Sequence, residues 1–425
     1  MTGTDRGTGG TGATGGGGGP TTVWDTRRAA WAYLRRVVEA SRGDVVRLLW
    51  PDGDVTAPAD VERVAGMIRV ADQALPARLA AATGPRTAAD PSTDREWADR
   101  HGWRLITPDD PEWPTARLAE AFRDFPDLTD GADVAADGVR GRAARPFALW
   151  ATGPADLGRA VERSVAMVGT RSATSYGTRV TRTMAGDLAA AGHTVVSGGA
   201  VGIDTAAHRG ALAARGTTVA VAASGPGEIY PRANADLFGS IAGSGLVVTE
   251  YPPLLRPARH RFLTRNRLVA ALTRGTVLLA AGYRSGAVNT ANWADAMLRP
   301  VMVLPGPVDS PDYVGCHKRL RDQAGILVTR AADVREILDP VGAVDTDGQL
   351  RMEFAATPVQ QLTQDQLAVF DACALAGRRA DGTGTPDRIV AETGLALRAV
   401  VRIIAELEKA GLARREGSRW IKTDR

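Results

Sequence analysis

The sequence has few cysteines and no long apolar run. Its two cysteines, Cys316 and Cys373, lie far apart and belong to no C-x-x-C pair. Neither a disulfide framework nor a zinc site is therefore expected, and a reduced setting is predicted. No segment approaches the roughly 18 consecutive apolar residues of a membrane span, and the first residues lack the apolar core of a signal peptide. These absences predict a cytoplasmic protein without a membrane span and without a bound metal.

A dinucleotide fingerprint is also missing. The chain contains no G-x-G-x-x-G motif, and its second long apolar strand runs into Ser197-Gly198-Gly199 where an acidic residue would bind a ribose. NAD binding is therefore disfavoured, and we expect no cofactor.

Acidic residues are absent between Glu250 and Asp295. The same segment contains seven arginines: Arg256, Arg259, Arg261, Arg265, Arg267, Arg274 and Arg284. Because a run of like charge on a folded domain raises the local potential, the segment predicts a surface for a polyanion. The alternative interpretation is a solvated charged face of an arginine-rich protein.

The composition is that of a soluble globular protein, with 44% hydrophobic and 24% charged residues among 425. Ten glycines in the first nineteen positions predict a disordered tail over residues 1–22. Residues 23–97 show helical periodicity and predict a small helical domain. Seven of the nine tryptophans lie before residue 151, where they are interpreted as packing anchors or, alternatively, as base-stacking residues.

Within residues 98–340, apolar strands alternate with helical patterns. A strand is predicted around residues 103–107, followed by seven apolar strands at residues 165–168, 194–196, 218–221, 246–248, 276–279, 301–304 and 326–328. Near-continuous apolar strands separated by single helices indicate a parallel sheet covered on both faces. The predicted fold class is therefore α/β.

A linker is predicted over residues 341–361, before a last domain over residues 362–425. Three helical patterns and a hairpin with a Glu416-Gly417-Ser418 turn are typical of a winged helix. Arg398 and Arg402 on its third helix are candidates for contacts in a DNA groove. Acidic residues on the same helix favour instead a protein contact or a structural role, and both alternatives stay open.

Glycines and an arginine follow the first two strands of the parallel sheet. Gly169 and Arg171 come after the first, and Ser197 and Gly198 after the second. Glycine lets backbone amides at a helix start face a phosphate, so an anion site is predicted at this edge. Further along, Asp204 and His208 lie one helical turn apart and are interpreted as a helix cap with a hydrogen-bonded histidine, or as ligand contacts.

Several motifs in residues 164–338 resemble the DNA-processing protein A (DprA/Smf) family. They include Val168-Gly169-Thr170-Arg171, the segment from Ser197-Gly198 to Ile203-Asp204, Phe262 followed by Arg265-Asn266-Arg267, Ser285-Gly286 and Leu304-Pro305-Gly306. Departures from the family pattern occur at Gly199, Ala280 and Gly315-Cys316-His317.

This resemblance implies an extended Rossmann-like domain, accompanied by an N-terminal SAM-like domain and a C-terminal winged helix. It implies a homodimer that binds single-stranded DNA without catalysis and helps to load the RecA recombinase during natural transformation. The resemblance and the strand-end motifs together predict the DNA-binding residues Gly169, Arg171, Ser197, Gly198, Phe262, Arg265, Asn266, Arg267, Arg284, Ser285 and Gly286.

An enzyme on the same fold is the main alternative. Phosphoribohydrolases of nucleoside monophosphates share it and use an arginine and a glutamate on a Pro-Gly-Gly loop. The comparable loop here reads Ala280-Ala281-Gly282-Tyr283-Arg284 and has no glutamate. No catalytic residues are therefore predicted. A nucleotide-sensing domain is a third possibility that only the shared fold supports.

Overall fold

The computed structural model describes residues 25–39, 42–123, 125, 144–283, 285–340, 358–375 and 383–423. These residues form two compact units, one within Met1–Val344 and the other within Asp345–Arg425. The predicted tail over residues 1–22 and most of the predicted linker over residues 341–361 lie outside the described residues.

The first unit begins with five helices: α1 (Thr26–Val37), α2 (Gly43–Leu49), α3 (Val61–Arg69), α4 (Ala77–Thr83) and α5 (Pro91–His101). Asp25 starts α1 as its N-cap, because its side chain accepts a hydrogen bond from Arg28 N at 2.7 Å. Trp31 and Trp50 are buried in the core of these helices, which also includes Trp150 from the sheet that follows. These tryptophans pack in the core and are not available to stack on bases.

A nine-stranded sheet follows, made of β1 (Arg104–Ile106), β2 (Leu149–Thr152), β3 (Ser164–Gly169), β4 (Thr194–Ser197), β5 (Thr218–Ala222), β6 (Leu246–Thr249), β7 (Thr276–Ala280), β8 (Val301–Val303) and β9 (Ile326–Leu327). The strand order is β1-β2-β6-β5-β4-β3-β7-β8-β9. All pairs from β6 to β9 in this order are parallel, which confirms the predicted parallel sheet. Strand β2 pairs antiparallel with β1 and β6. The sequence did not predict this strand.

The remaining helices of this unit are α6 (Thr115–Ala121), α7 (Leu157–Glu162), α8 (Ser175–Ala190), α9 (Ile203–Ala213), α10 (Ala235–Ser244), α11 (Arg259–Ala271), α12 (Gly286–Ala296), α13 (Val314–Arg321) and α14 (Ala331–Leu338). Nearly every residue of β3 to β8 is buried. Since successive side chains of a strand point to opposite faces, both faces of the sheet are covered.

The strand order reverses beside β3. From there β4, β5 and β6 follow in one direction, whereas β7, β8 and β9 lie on the other side. This is the arrangement of a Rossmann-like sheet, in which loops diverge at the carboxyl ends of the two central strands and leave a crevice. The crevice between the ends of β3 and β7 is therefore where a ligand is expected.

The second unit contains α15 (Gln364–Ala372), α16 (Pro386–Thr393), α17 (Leu397–Lys409) and the antiparallel strands β10 (Ala413–Glu416) and β11 (Arg419–Lys422). Thr363 and Gln366 form a capping box that starts α15.

Cys316 in the first unit and Cys373 in the second are both buried free thiols. In the described part of the chain, no helix combines the length and apolar character that crossing a membrane would require.

Candidate functional site

A cleft of about 780 Å³ opens at the carboxyl edge of the sheet, where the strand order reverses. The loops after β3, β4 and β7 line it together with α11 and the start of α12. Eight of the predicted site residues line the cleft: Gly169, Arg171, Gly198, Phe262, Arg265, Asn266, Ser285 and Gly286. The fold thus brings most of the predicted set to one place.

The rim of the cleft carries an arginine that lies over the ring of an aromatic pair. Arg171, in the loop after β3, is exposed, and its guanidinium lies 5.5 Å from the centre of the Phe262 ring. Tyr230 meets the same ring edge-on, with ring centres 5.4 Å apart. A cation over a ring face and an edge-on aromatic pair are both favourable contacts. This part of the rim therefore offers a charge and flat apolar surface side by side.

Arg265 lies at the floor of the cleft and is 6% exposed. Its Nη1 donates to the carbonyl oxygen of Gly198 at 2.7 Å and also to that of Val221. Burial lowers the pKa of Arg265, whereas the nearby Asp204 raises it. Because these hydrogen bonds hold the guanidinium against the backbone, Arg265 joins α11 to the ends of β4 and β5 and has little surface left for a ligand.

Glycine at position 198 makes room for this arginine. A Cβ atom there would lie 2.3 Å from Arg265 Nη1, closer than any real contact. At Gly169 a Cβ would lie 2.5 Å from Cγ1 of Ile203, the first residue of α9. The sequence interpretation assigned both glycines to an anion cradle, but their immediate role is to let helices approach the strand ends.

Asn266 and Ser285 organise the neighbouring helix α12. The Asn266 amide donates to the carbonyl oxygen of Gly286 at 3.3 Å and to Asn289 Oδ1 at 3.2 Å. Ser285 is the N-cap of α12, and its Oγ accepts from Ala287 N at 3.3 Å. Both residues line the cleft; Asn266 links α11 to α12, and Ser285 fixes the start of α12.

Two of the predicted residues that the structure describes, Ser197 and Arg267, are not among those lining the cleft. Ser197 is fully buried, and its hydroxyl donates to the carbonyl oxygen of Met167 at 2.7 Å. Arg267 is also fully buried. Arg284 lies outside the described residues.

Arg267 belongs to a cluster of buried ionic side chains on the inner side of α11. Its Nη2 donates to Glu250 Oε1 at 2.8 Å and Oε2 at 2.7 Å. Arg35 of α1 approaches Glu250 Oε1 at 3.4 Å and lies over the Phe147 ring. All three charged side chains are at most 1% exposed. The expectation that Arg267 faces a DNA phosphate does not agree with this environment, because the charge is already compensated inside the protein.

Only some of the arginines between Glu250 and Asp295 are therefore exposed at the protein surface. Arg256 and Arg259 are exposed, Arg261 and Arg274 are half-buried, and the two central arginines are buried as described. The sequence could not show which arginines are exposed, since successive residues of α11 point in different directions. It also could not show that Glu250, just before the acid-free segment, forms an ion pair with Arg267. Of the exposed pair, Arg259 lines the cleft.

Asp204 and His208 have different environments. Asp204 lines the cleft, where its Oδ2 accepts from Ala200 N at 3.2 Å, and burial raises its pKa. Gly202 is the N-cap of α9, so Asp204 stands within the first turn and not at the cap. His208 is fully buried with its Nδ1 2.7 Å from Thr218 Oγ1, which corresponds to the hydrogen-bonded histidine of the sequence interpretation.

Two aromatic residues of the cleft were missing from the predicted set. Tyr230 is 46% exposed, and Tyr283, three residues after the end of β7, is 62% exposed. The position of Tyr283 in a loop after a predicted strand was the available signal, because such loops converge at one edge of the sheet, but its exposure could not be read from the sequence. Within the described ranges, no group of three His, Cys, Asp or Glu side chains is arranged to hold a metal ion.

The chain that forms this cleft is similar to known proteins of one family. The model of the family described as DNA recombination-mediator protein A matches residues 104–339. A putative DNA processing protein DprA from Mycobacterium tuberculosis (strain ATCC 25618 / H37Rv) is 44% identical over 399 residues, which are 93% of this chain and 94% of that protein.

Proteins of Streptococcus pneumoniae provide two further matches. DNA processing protein DprA of strain ATCC BAA-255 / R6 is 34% identical over 223 residues, 52% of this chain and 76% of that protein. The X-ray structure of DNA processing protein A (DprA) from this species superposes with a TM-score of 0.56 and 25% identity, and covers 75% of this chain and 100% of that chain.

Proposed function

Since the chain belongs to the DNA recombination-mediator protein A family, we propose that it is a DNA-processing protein that binds single-stranded DNA in the cleft at the carboxyl edge of its sheet. In this proposal it acts in the cytoplasm as a homodimer, needs no cofactor, and helps to load the RecA recombinase onto single strands during natural transformation. We propose further that the N-terminal helices form a SAM-like domain and that the second unit is a winged helix.

The observation that carries the proposal is the rim formed by Arg171, Phe262 and Tyr230. At the mouth of an open cleft, the exposed guanidinium lies over the Phe262 ring, and Tyr230 packs edge-on against that ring. Unpaired bases stack on such rings irrespective of sequence, while the cation binds a backbone phosphate. Bases of a duplex are already paired and stacked, so the same rim favours single strands.

The test is a salt titration of binding to single-stranded and duplex DNA of the same sequence, measured by fluorescence anisotropy. Arg171→Glu should weaken single-strand binding by at least about tenfold and reduce the salt slope by about 0.7, the value for one lost phosphate contact. Arg215→Glu is the matched control, since Arg215 is exposed in the loop between α9 and β5, at the opposite edge of the sheet.

If the Arg171→Glu variant has the same melting temperature and the same affinity for single strands as the unaltered protein, the cleft is not the DNA site. Equal losses for Arg171→Glu and Arg215→Glu would point to general electrostatic attraction instead.

We also propose that the cleft binds without hydrolysing its ligand. Glu250, the glutamate at the end of β6, is buried against Arg267 and cannot reach a substrate. Among the described residues, two acidic ones, Asp204 and Asp312, line the cleft. The Asp204 carboxylate already holds a loop amide, and Asp312 follows β8, away from the loops after β3 and β4 in the chain. A general acid or base must reach the reacting atom, so this environment supports a binding role.

Incubation with nucleoside monophosphates is accordingly expected to release no free base. Sustained release by the purified protein that Asp204→Asn abolishes would establish a phosphoribohydrolase and end the binding-protein proposal.

A further inference from the structure

We propose that a single strand bound in the cleft continues over the first turn of α11 onto a basic patch shared with the N-terminal helices, where Arg86 contacts a phosphate and Glu39 weakens the contact. The patch consists of Arg86, His260 and Arg261, which surround Glu39, together with Arg256 and Arg259, which are exposed and lie close to them in the chain. The inference rests on the proposed function of the cleft and extends the binding surface beyond it.

The first turn of α11 separates the cleft from Glu39. Arg259 and Leu263 line the cleft. The two residues after Arg259 contact Glu39, which follows α1: Arg261 Nε lies 2.9 Å and His260 Nε2 3.2 Å from Glu39 Oε1. One helical turn therefore presents cations both to the cleft and to the N-terminal helices.

Arg86 reaches the same carboxylate from a distant part of the chain. It follows α4, and its Nη1 lies 3.8 Å from Glu39 Oε2. Its Nη2 donates to the carbonyl oxygen of Ala82 at 2.8 Å, which holds the guanidinium near the protein surface. The side chain is 39% exposed, so a phosphate can approach it.

The patch remains positive although Glu39 lies within it. Hydrogen bonds from Arg261 and His260 keep the pKa of Glu39 below its ordinary value, despite the opposing effect of burial, which is the largest single influence. One charged carboxylate cannot neutralise both Arg86 and Arg261. His260 is 60% exposed, and Arg256 and Arg259 are exposed as well.

Continuity with the cleft makes the strand itself the fitting occupant. A single strand carries a phosphate at every nucleotide, so a strand longer than the cleft must cross one of its walls. The wall made by α11 leads from Arg259 directly to further cations, and no acidic residue occurs from residue 251 to residue 294. A positively charged track of this kind is how proteins follow a single-stranded backbone.

The inference predicts a dependence on strand length. Arg86→Glu should weaken binding of an oligothymidylate of about 16 nucleotides by at least about threefold, and of one of about 4 nucleotides hardly at all, since only the longer strand extends beyond the cleft. Arg171→Glu should weaken binding of both lengths, and Arg215→Glu of neither. Arg86→Ala, which removes the charge without reversing it, should have the same but smaller effect.

Glu39→Gln provides a test of opposite sign. Removing this negative charge should strengthen binding of the longer oligonucleotide by about two- to threefold at low salt and should leave the shorter one unchanged. If Glu39 only holds α11 in place, the same substitution should weaken binding of both lengths and lower the melting temperature.

The outcomes separate this inference from the proposed function. Loss of binding in Arg171→Glu, combined with unchanged binding of both lengths in folded Arg86→Glu, would overturn the patch and leave the cleft intact. Equal loss of both lengths in Arg86→Glu, or weaker binding by Glu39→Gln, would overturn it as well. Unchanged binding in Arg171→Glu would mean that the proposed function itself is wrong.

Discussion

At the scale of single residues, arginines of one short segment have opposite roles. Arg259 is exposed and lines the cleft, whereas Arg265 and Arg267, one or two turns further along α11, are buried. Their side chains are chemically identical, so the difference comes from what surrounds them. Arg265 donates to backbone carbonyl groups and Arg267 to Glu250. A charged residue at such a position stabilises the fold and is not a measure of DNA contact.

Arg267→Ala should lower the free energy of unfolding by about 3 to 5 kcal/mol, because among the described residues it leaves the buried Glu250 the longer contact to Arg35 as its ion pair. Arg171→Ala, at an exposed position, should change it by less than about 0.5 kcal/mol. Urea denaturation measures both values. The reverse pattern, a stable Arg267→Ala with impaired DNA binding, would assign Arg267 to the DNA surface after all.

At the scale of elements, His208 joins helix α9 to two strands. Its Nδ1 lies 2.7 Å from Thr218 Oγ1 of β5, and that hydroxyl donates to the carbonyl oxygen of Val195 in β4 at 2.8 Å. Since the hydroxyl proton is used in this second bond, Nδ1 carries the proton in the first. Burial, with a further contribution from Arg265, lowers the pKa of His208 from 6.5 to about 3.

This shift predicts a loss of stability in mild acid. Above pH 6.5 the histidine is neutral in both the folded and the unfolded chain, and below that pH only the unfolded chain binds the proton. Stability therefore falls as the pH drops from 6.5 towards 3, and at about pH 5 the loss attributable to His208 is about 2 kcal/mol.

His208→Asn removes the titrating group and keeps a donor for Thr218. The variant is expected to be less stable than the parent at pH 7, and the difference should shrink at pH 5. Urea denaturation at the two pH values tests this. His193, whose pKa burial also lowers, is present in both proteins and cancels in the comparison. Parallel pH profiles for the two proteins would contradict the prediction.

At the scale of the whole molecule, the chain divides into two compact units, and the described residues that line the cleft belong to the first. The second unit carries charges of both signs on α17: Arg402 lies 3.8 Å from Glu406 within an exposed pair. Such a pair contributes little to binding a polyanion, since one charge offsets the other.

Deleting residues 361–425 should therefore leave most of the single-strand affinity in place. Anisotropy measurements on the shortened and the full chain give the comparison. An affinity loss greater than about tenfold, or about 1.4 kcal/mol, would mean that Arg398, Arg402 or their neighbours contact nucleic acid, the alternative that the sequence left open.

The sequence by itself determined the alternation of strands and helices. Apolar runs recur between helical patterns, and all seven strands predicted for the parallel sheet are present as β3 to β9, although the two residues of β9 are exposed. It also placed Gly169, Arg171 and Ser285 at strand ends. These features depend on neighbours close in the chain, so local periodicity and turn residues are sufficient to predict them.

The tertiary structure alone decided which charges are free. Glu250 lies 17 positions from Arg267 and 215 from Arg35, and no local pattern connects the three. The strand order, the exposed Tyr230 and Tyr283 at the cleft, and the meeting of Arg86 with Glu39 likewise depend on distant segments. A charged side chain is compensated by whatever the fold brings beside it, which is why composition located the arginines but could not separate a buried ion pair from a surface for DNA.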